Sequence, residues 1–134
     1  MDLLERLASV INQTPNLPMK CKLGYLTVAD SLSLYPLPGS RVLDEDYAGN
    51  QQWQMNYEVG FRTQDQSKAN STLWLVSQTL DVLTDEELIS SNSSFEFESL
   101  TINGQPSISE QDTQGYTTYQ LSFSVIVNTF ADAS

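Results

Sequence analysis

No histidine occurs anywhere in the 134 residues. That removes the usual general base, the base of most nucleophilic triads and the commonest zinc ligand. Most hydrolase schemes go with them. Cysteine occurs once, as Cys21, so no intramolecular disulfide can form. Lys20 and Lys22 flank it and would lower a thiol pKa, but with no histidine to activate it Cys21 reads as a buried or incidental residue. No apolar run approaches the roughly 20 residues of a membrane span. Asp2 and Glu5 interrupt the first apolar turn and no basic segment precedes it, so no signal peptide is expected, and synthesis is expected in a reducing cytoplasm. Gly39, Gly49, Gly60, Gly104 and Gly115 stand alone, in no pattern that cradles phosphate.

Positive charge is the other shortage. Six Lys and Arg stand against seventeen Asp and Glu, a formal charge of -11. The six cations (Arg6, Lys20, Lys22, Arg41, Arg62, Lys68) all precede Ala69, and from there onward nine carboxylates meet no cation. Binding nucleic acid through its phosphates needs a basic face that releases counterions, so direct sequence-specific nucleic-acid binding is not expected. An acidic surface either keeps the protein soluble or orients a partner with a complementary patch.

What the chain does have is clear periodicity. In residues 52–62 Trp53, Met55, Tyr57, Val59 and Phe61 alternate with polar residues, Gly60 and Arg62, as in a one-sided strand. Ala69, Leu73, Val76, Leu80 and Leu83 then recur at steps of four and three, within roughly 40° of one line on a helix. Thr63 and Gln66 have the spacing of a capping box for that helix. An earlier helix is expected over 2–13, where Leu3, Leu4, Leu7, Val10 and Ile11 share a face. Residues 19–28 are a weaker strand, interrupted at Gly24, and Leu32 and Leu34 share one side of a short strand at 31–35.

Further on, Thr84 and Glu87 suggest a helical turn, followed by a polar link at 90–94. Phe95 and Phe97 lie on one parity and Leu100 and Ile102 on the other, which a bulge near Ser99 reconciles. Asn103-Gly104 is a tight-turn dipeptide, predicting that residues 95–102 pair with a short strand at 105–109. A last strand over 116–129 puts Tyr119, Leu121, Phe123, Val125 and Val127 on its core face. The expected fold is α+β: one domain over 1–134, an antiparallel-rich mixed sheet with the N-terminal and central helices packed on one face. The other face carries Gln, Asn, Ser and Glu, left in water or used against another subunit.

Candidate functional residues fall outside any catalytic pattern. Residues 36–50 combine two prolines, two glycines and the run Asp44, Glu45, Asp46, expected as an exposed arm or long hairpin loop with a short strand at 41–43. Long loops in compact domains make contacts, so Arg41, Asp44, Glu45, Asp46, Tyr47 and Asn50 are expected at an interface. Asp44, Glu45, Asp46 and Asn50 offer oxygens, but their spacing matches no EF-hand and no metal is expected. Glu96 and Glu98 read as a solvated strand face rather than an acid and base pair. Trp74 lies roughly 140° from the helix stripe, so it either tucks under a loop or anchors a subunit contact, where tryptophan is enriched. From the residues alone, an assembly subunit, a carbohydrate- or peptide-binding module using surface aromatics and, more distantly, a carboxylate hydrolase remain open.

The organisation resembles a known family. The helix MDLLERLASVINQ, the arm LYPLPGSRVLDEDYAGNQQWQ, the block NYEVGFRTQDQSKANSTLWLVSQTLDVL and the late strands FEFESLTING and YTTYQLSFSVIVNTF look like a phage minor capsid protein of the tail-terminator, or tail-completion, kind. That resemblance implies a virion structural protein without enzyme activity, cofactor or membrane. It implies a homo-oligomer, usually a ring of about six, at the head-tail junction, between a tail-tube protein and a head-completion or connector protein. The related alternative is a head-completion or connector protein.

Overall fold

The computed structural model describes residues 3–14, 17, 19–24, 31–83, 95–104 and 106–130. Two strands of thirteen residues organise it, β4 (Gln51–Thr63) and β7 (Thr117–Thr129). They pair antiparallel along their whole length, from Gln51 opposite Thr129 to Thr63 opposite Thr117. This register places Tyr57, Val59 and Phe61 beside Phe123, Leu121 and Tyr119 on one face. The face is apolar because both strands alternate with the same parity. Val59, Phe61, Phe123, Val125 and Val127 lose all their exposure, each contributing roughly 1.5–3 kcal/mol.

Two helices cover that face. The first, α1 (Leu3–Asn12), buries Leu3, Leu7, Val10 and Ile11. The second, α2 (Gln66–Asp81), buries Ala69, Leu73, Val76 and Leu80, four of the five residues of the expected stripe, while Leu83 is partly buried beyond its end. They join a single core cluster with the sheet. Thr14 Oγ1 donates to Thr79 Oγ1 at 3.0 Å, tying the end of α1 to the last turn of α2.

The cap of α2 differs from the sequence expectation. Its N-cap is Asp65, whose carboxylate accepts from the Lys68 amide at 3.0 Å. Thr63 is still in β4, paired with Thr117, and its hydroxyl accepts from the Asp65 amide instead. The strand runs too far for Thr63 to cap.

Among the described residues the remaining strands complete a seven-stranded sheet. They are β1 (Lys22–Leu23), β2 (Ser31–Pro36), β3 (Arg41–Glu45), β5 (Glu96–Ile102) and β6 (Ser107–Gln111). The order is β1-β2-β4-β7-β5, with β3 extending the sheet beside β4 and β6 beside β7. Only β1 and β2 run parallel, so the sheet is mixed and mostly antiparallel as expected. Of the weak strand at 19–28 only Lys22–Leu23 forms, and residues 25–28 lie outside the described residues. The same holds for the helical turn at 84–88, the link at 90–94 and the tail from 131.

One pairing expectation is overturned. β5 does not fold back on β6; both line up end to end along β7, with Ile102 opposite Phe123 and Ser107 opposite Gln120. Asn103-Gly104 interrupts one continuous line rather than reversing it. The Asn103 amide donates to Ser122 O at 2.9 Å, holding the chain on β7 through the interruption. The bulge expected near Ser99 is present, between Phe97 and Ser99.

Candidate functional site

The arm is a β-hairpin. β3 reaches Glu45, two residues beyond the expected strand, with a bulge between Val42 and Asp44 that leaves Leu43 as the extra residue. Every residue of β3 is exposed, and it touches no other element than β4. The tip is closed by Asp46. Its carboxylate accepts from the Ala48 and Asn50 amides at 2.9 Å and from Asn50 Nδ2 at 3.0 Å. The Asn50 side chain first, then the backbone amides, hold the Asp46 carboxyl below its ordinary pKa. Gly49, at φ 88°, supplies the left-handed residue that so tight a turn needs. Tyr47 stands fully in solvent at that tip.

The expected arm residues are not all one cluster. Asp44, Glu45, Asp46 and Asn50 line a hollow of about 340 Å³ together with Glu96 and Phe130 from the other side of the sheet. Glu96 comes to this site only through β7, because it faces Asn128, which faces Gln52. Glu98 is tied to the same region by a hydrogen bond from Gln52. Arg41 sits at the base of the hairpin opposite Gln54, and Tyr47 projects from its tip. Trp74 is elsewhere: it is 41% exposed on α2, which makes no contact with β3. Among the described residues no group of three or more Asp, Glu or Cys is arranged to hold a metal ion.

Sequence reasoning missed the centre of the sheet face opposite α1 and α2. Ser33, Tyr35, Glu58 and Thr118 are buried there although their parity marks them as outward-facing. Tyr35 Oη donates to Glu58 Oε2 at 2.6 Å and Ser122 Oγ donates to Oε1 at 3.1 Å. Burial first, and then the neighbouring Glu58, pushes the Tyr35 phenol pKa well up. A carboxylate with so little water is tolerable because two hydroxyls satisfy it. No local signal marks this network, since its members are brought together by register alone.

Further along the same face Arg62 Nη2 meets Asp112 Oδ2 at 2.5 Å, with the guanidinium 4.7 Å from the Tyr116 ring centroid. Asp112 also accepts from the Gln114 and Tyr116 amides at 2.9 Å, shaping the turn into β7. Partial desolvation works to raise its pKa, but those amides and Arg62 outweigh it and the net shift is downward.

At the opposite edge, Asn12 clamps the segment leading into β1. Its Oδ1 accepts from the Cys21 amide at 2.7 Å and its Nδ2 donates to Cys21 O at 3.1 Å. Burial pushes the Cys21 thiol up to about 12, so it is inert as a nucleophile. Beside it, between α1 and β1, lies an open hollow of about 710 Å³ bordered by Ala8, Lys20, Lys22 and Leu23. The described residues thus present edges, a hairpin and hollows.

Comparison with known proteins adds the following. A family profile described as bacteriophage tail terminator protein matches residues 11–129. Among solved structures, a chain of the virion of a native gene transfer agent particle has a similar fold, with a TM-score of 0.54 and 13% identity over 91% of this chain and 84% of that one. At that identity the likeness is one of fold. No curated protein matches the sequence.

Proposed function

The chain belongs to the bacteriophage tail terminator family and is a structural component of a phage-type virion, and from that premise we propose that it caps the tail tube and joins it to the head connector. The observation that carries this is the extent of the family match, which runs from inside α1 to the last residue of β7. It therefore takes in the whole sheet, all of α2 and the last two residues of α1. In this reading the protein works at the head-tail junction as a ring of about six copies, one side against a tail-tube protein and the other against a head-completion or connector protein. The hairpin with Arg41, Asp44, Glu45, Asp46, Tyr47 and Asn50 is the part we assign to contact with a neighbour, and Trp74 is a second contact. Exposed aromatic side chains such as Tyr47 and Trp74 are suited to that, because they bury much area with few rotatable bonds.

The test is tail-tube polymerisation with and without this chain, read by electron microscopy, together with light scattering across a concentration series. The expected outcome is arrested tube growth with a ring at the tube end. Tubes that lengthen unchanged, with the chain monomeric throughout, would refute the proposal. Binding to a connector protein with no effect on tubes would identify a head-completion protein instead.

A further inference from the structure

Both lateral edges of the sheet are open among the described residues. On one side β1 has no partner beyond β2, and on the other β6 has none beyond β7. Unpaired edges of this kind are templates for pairing with another chain. The β1 edge carries Lys20, Lys22 and Leu23, all exposed, with Leu23 45% in solvent. The β6 edge carries Ile108, 52% exposed, and Glu110. Among the described residues neither lysine pairs with a carboxylate, and Glu110 pairs with no cation.

The two edges also match in register. Leu23 lies level with Val59 through Leu34, and Ile108 lies level with Phe61 through Tyr119. Lys22 lies level with Gly60 through Ser33, and Glu110 with Arg62 through Thr118. Both pairs are thus offset by the same two residues, in the same direction. A slide of two residues, roughly 7 Å, keeps every side chain on its own face. Following the pairings across the sheet, β1 runs antiparallel to β6. One antiparallel contact therefore sets Leu23 against Ile108 and Lys22 against Glu110 at once.

We infer that the β1 edge of one copy receives the β6 edge of the next copy of this chain, Ile108 entering the hollow between α1 and β1 beside Leu23 while Glu110 pairs with Lys22. The occupant is a second copy because the complementary charge and the complementary apolar residue both lie on this chain's own opposite edge. The contact is heterologous, leaving a free edge at each end, so repetition closes into a ring when the rotation allows. The inference rests on the ring proposed above and names the surfaces that build it.

The experiment is disulfide trapping in the full chain carrying Leu23→Cys and Ile108→Cys, with buried Cys21 left in place. Mild oxidation of the assembled protein is expected to give a ladder of covalent oligomers, whereas a mixture of the two single variants stops at dimers and the unsubstituted chain gives none. A ring that assembles without cross-linking overturns these surfaces and leaves the terminator reading standing. A chain that stays monomeric, alone and with a tail-tube protein, overturns both. Lys22→Glu and Glu110→Lys provide a second route that leaves apolar packing untouched: each alone is expected to weaken association about tenfold per contact, and their equimolar mixture to restore it as an alternating ring. A mixture no better than either variant overturns the pairing.

Discussion

Replacing Tyr35 by Phe tests whether the sheet face opposite α1 and α2 is an internal polar network or simply a wet surface. The substitution removes one hydroxyl, the one that donates to Glu58 at 2.6 Å, and leaves the ring in place. Glu58 is 7% exposed and Tyr35 8%, so water cannot readily take over the lost bond. Hydrogen bonds to a charged group contribute about 1.5–3 kcal/mol, and a buried acceptor left short of a donor loses more than the same acceptor in solvent. Ser122 still serves the other carboxylate oxygen at 3.1 Å, which argues for the lower half of that range. The expected loss is thus about 2 kcal/mol, or roughly 6–10 °C in Tm for a domain of this size. Urea unfolding of the wild type, Tyr35→Phe, Glu58→Leu and the double variant measures it. The double variant should be less destabilised than the sum of the singles by about 1 kcal/mol or more, because each single loses the same Tyr35–Glu58 bond, which the double variant loses only once, while the Ser122 bond goes with Glu58 in either background. A Tyr35→Phe protein within 0.5 kcal/mol of wild type, or strictly additive singles, would refute the idea that this carboxylate is desolvated.

Three further outcomes follow from the same geometry. Asp65→Ala removes the acceptor for the Lys68 amide and should lower stability by about 1 kcal/mol, whereas Thr63→Ser, which keeps a hydroxyl, should change it far less; equilibrium unfolding compares the two. Asp112 has a folded pKa below its unfolded one, so its contribution is complete above the ordinary Asp range and is lost as pH falls through the lowered value. The protection factor of the Tyr116 amide, its exchange rate corrected for the intrinsic pH dependence, should therefore fall in that acid window in the wild type, and Asp112→Asn should remove the dependence. The Cys21 thiol, pushed up to about 12, should resist alkylation at pH 8 in the folded chain and react fully in denaturant; rapid labelling of native protein would contradict its burial.

The elements that could be read from the sequence are those whose cause is local. A period of two in 52–62 and 116–129, and a period near 3.6 in 66–83, each state which face an element must bury, and β4, β7 and α2 bury those faces. The polar turn residues likewise mark where chain direction changes at Asp46–Asn50 and Asp112–Tyr116, since a side-chain carboxylate must satisfy amides that no ladder reaches. The family resemblance also came from these linear blocks, and the family match confirms it. Periodicity carries no information about which strand lies beside which. β6 on β7 instead of β5, the Thr63 pairing that moved the cap to Asp65, and the meeting of Tyr35, Glu58 and Ser122 all depend on register between residues far apart in sequence. The arm was legible as an exposed loop, but Glu96 joins its acidic hollow only across two interstrand pairings. The residues determined the faces, because burial of an apolar side is decided within one element; only the tertiary structure decided the neighbours and the two open edges, because those follow from which competing pairings the whole core can satisfy at once.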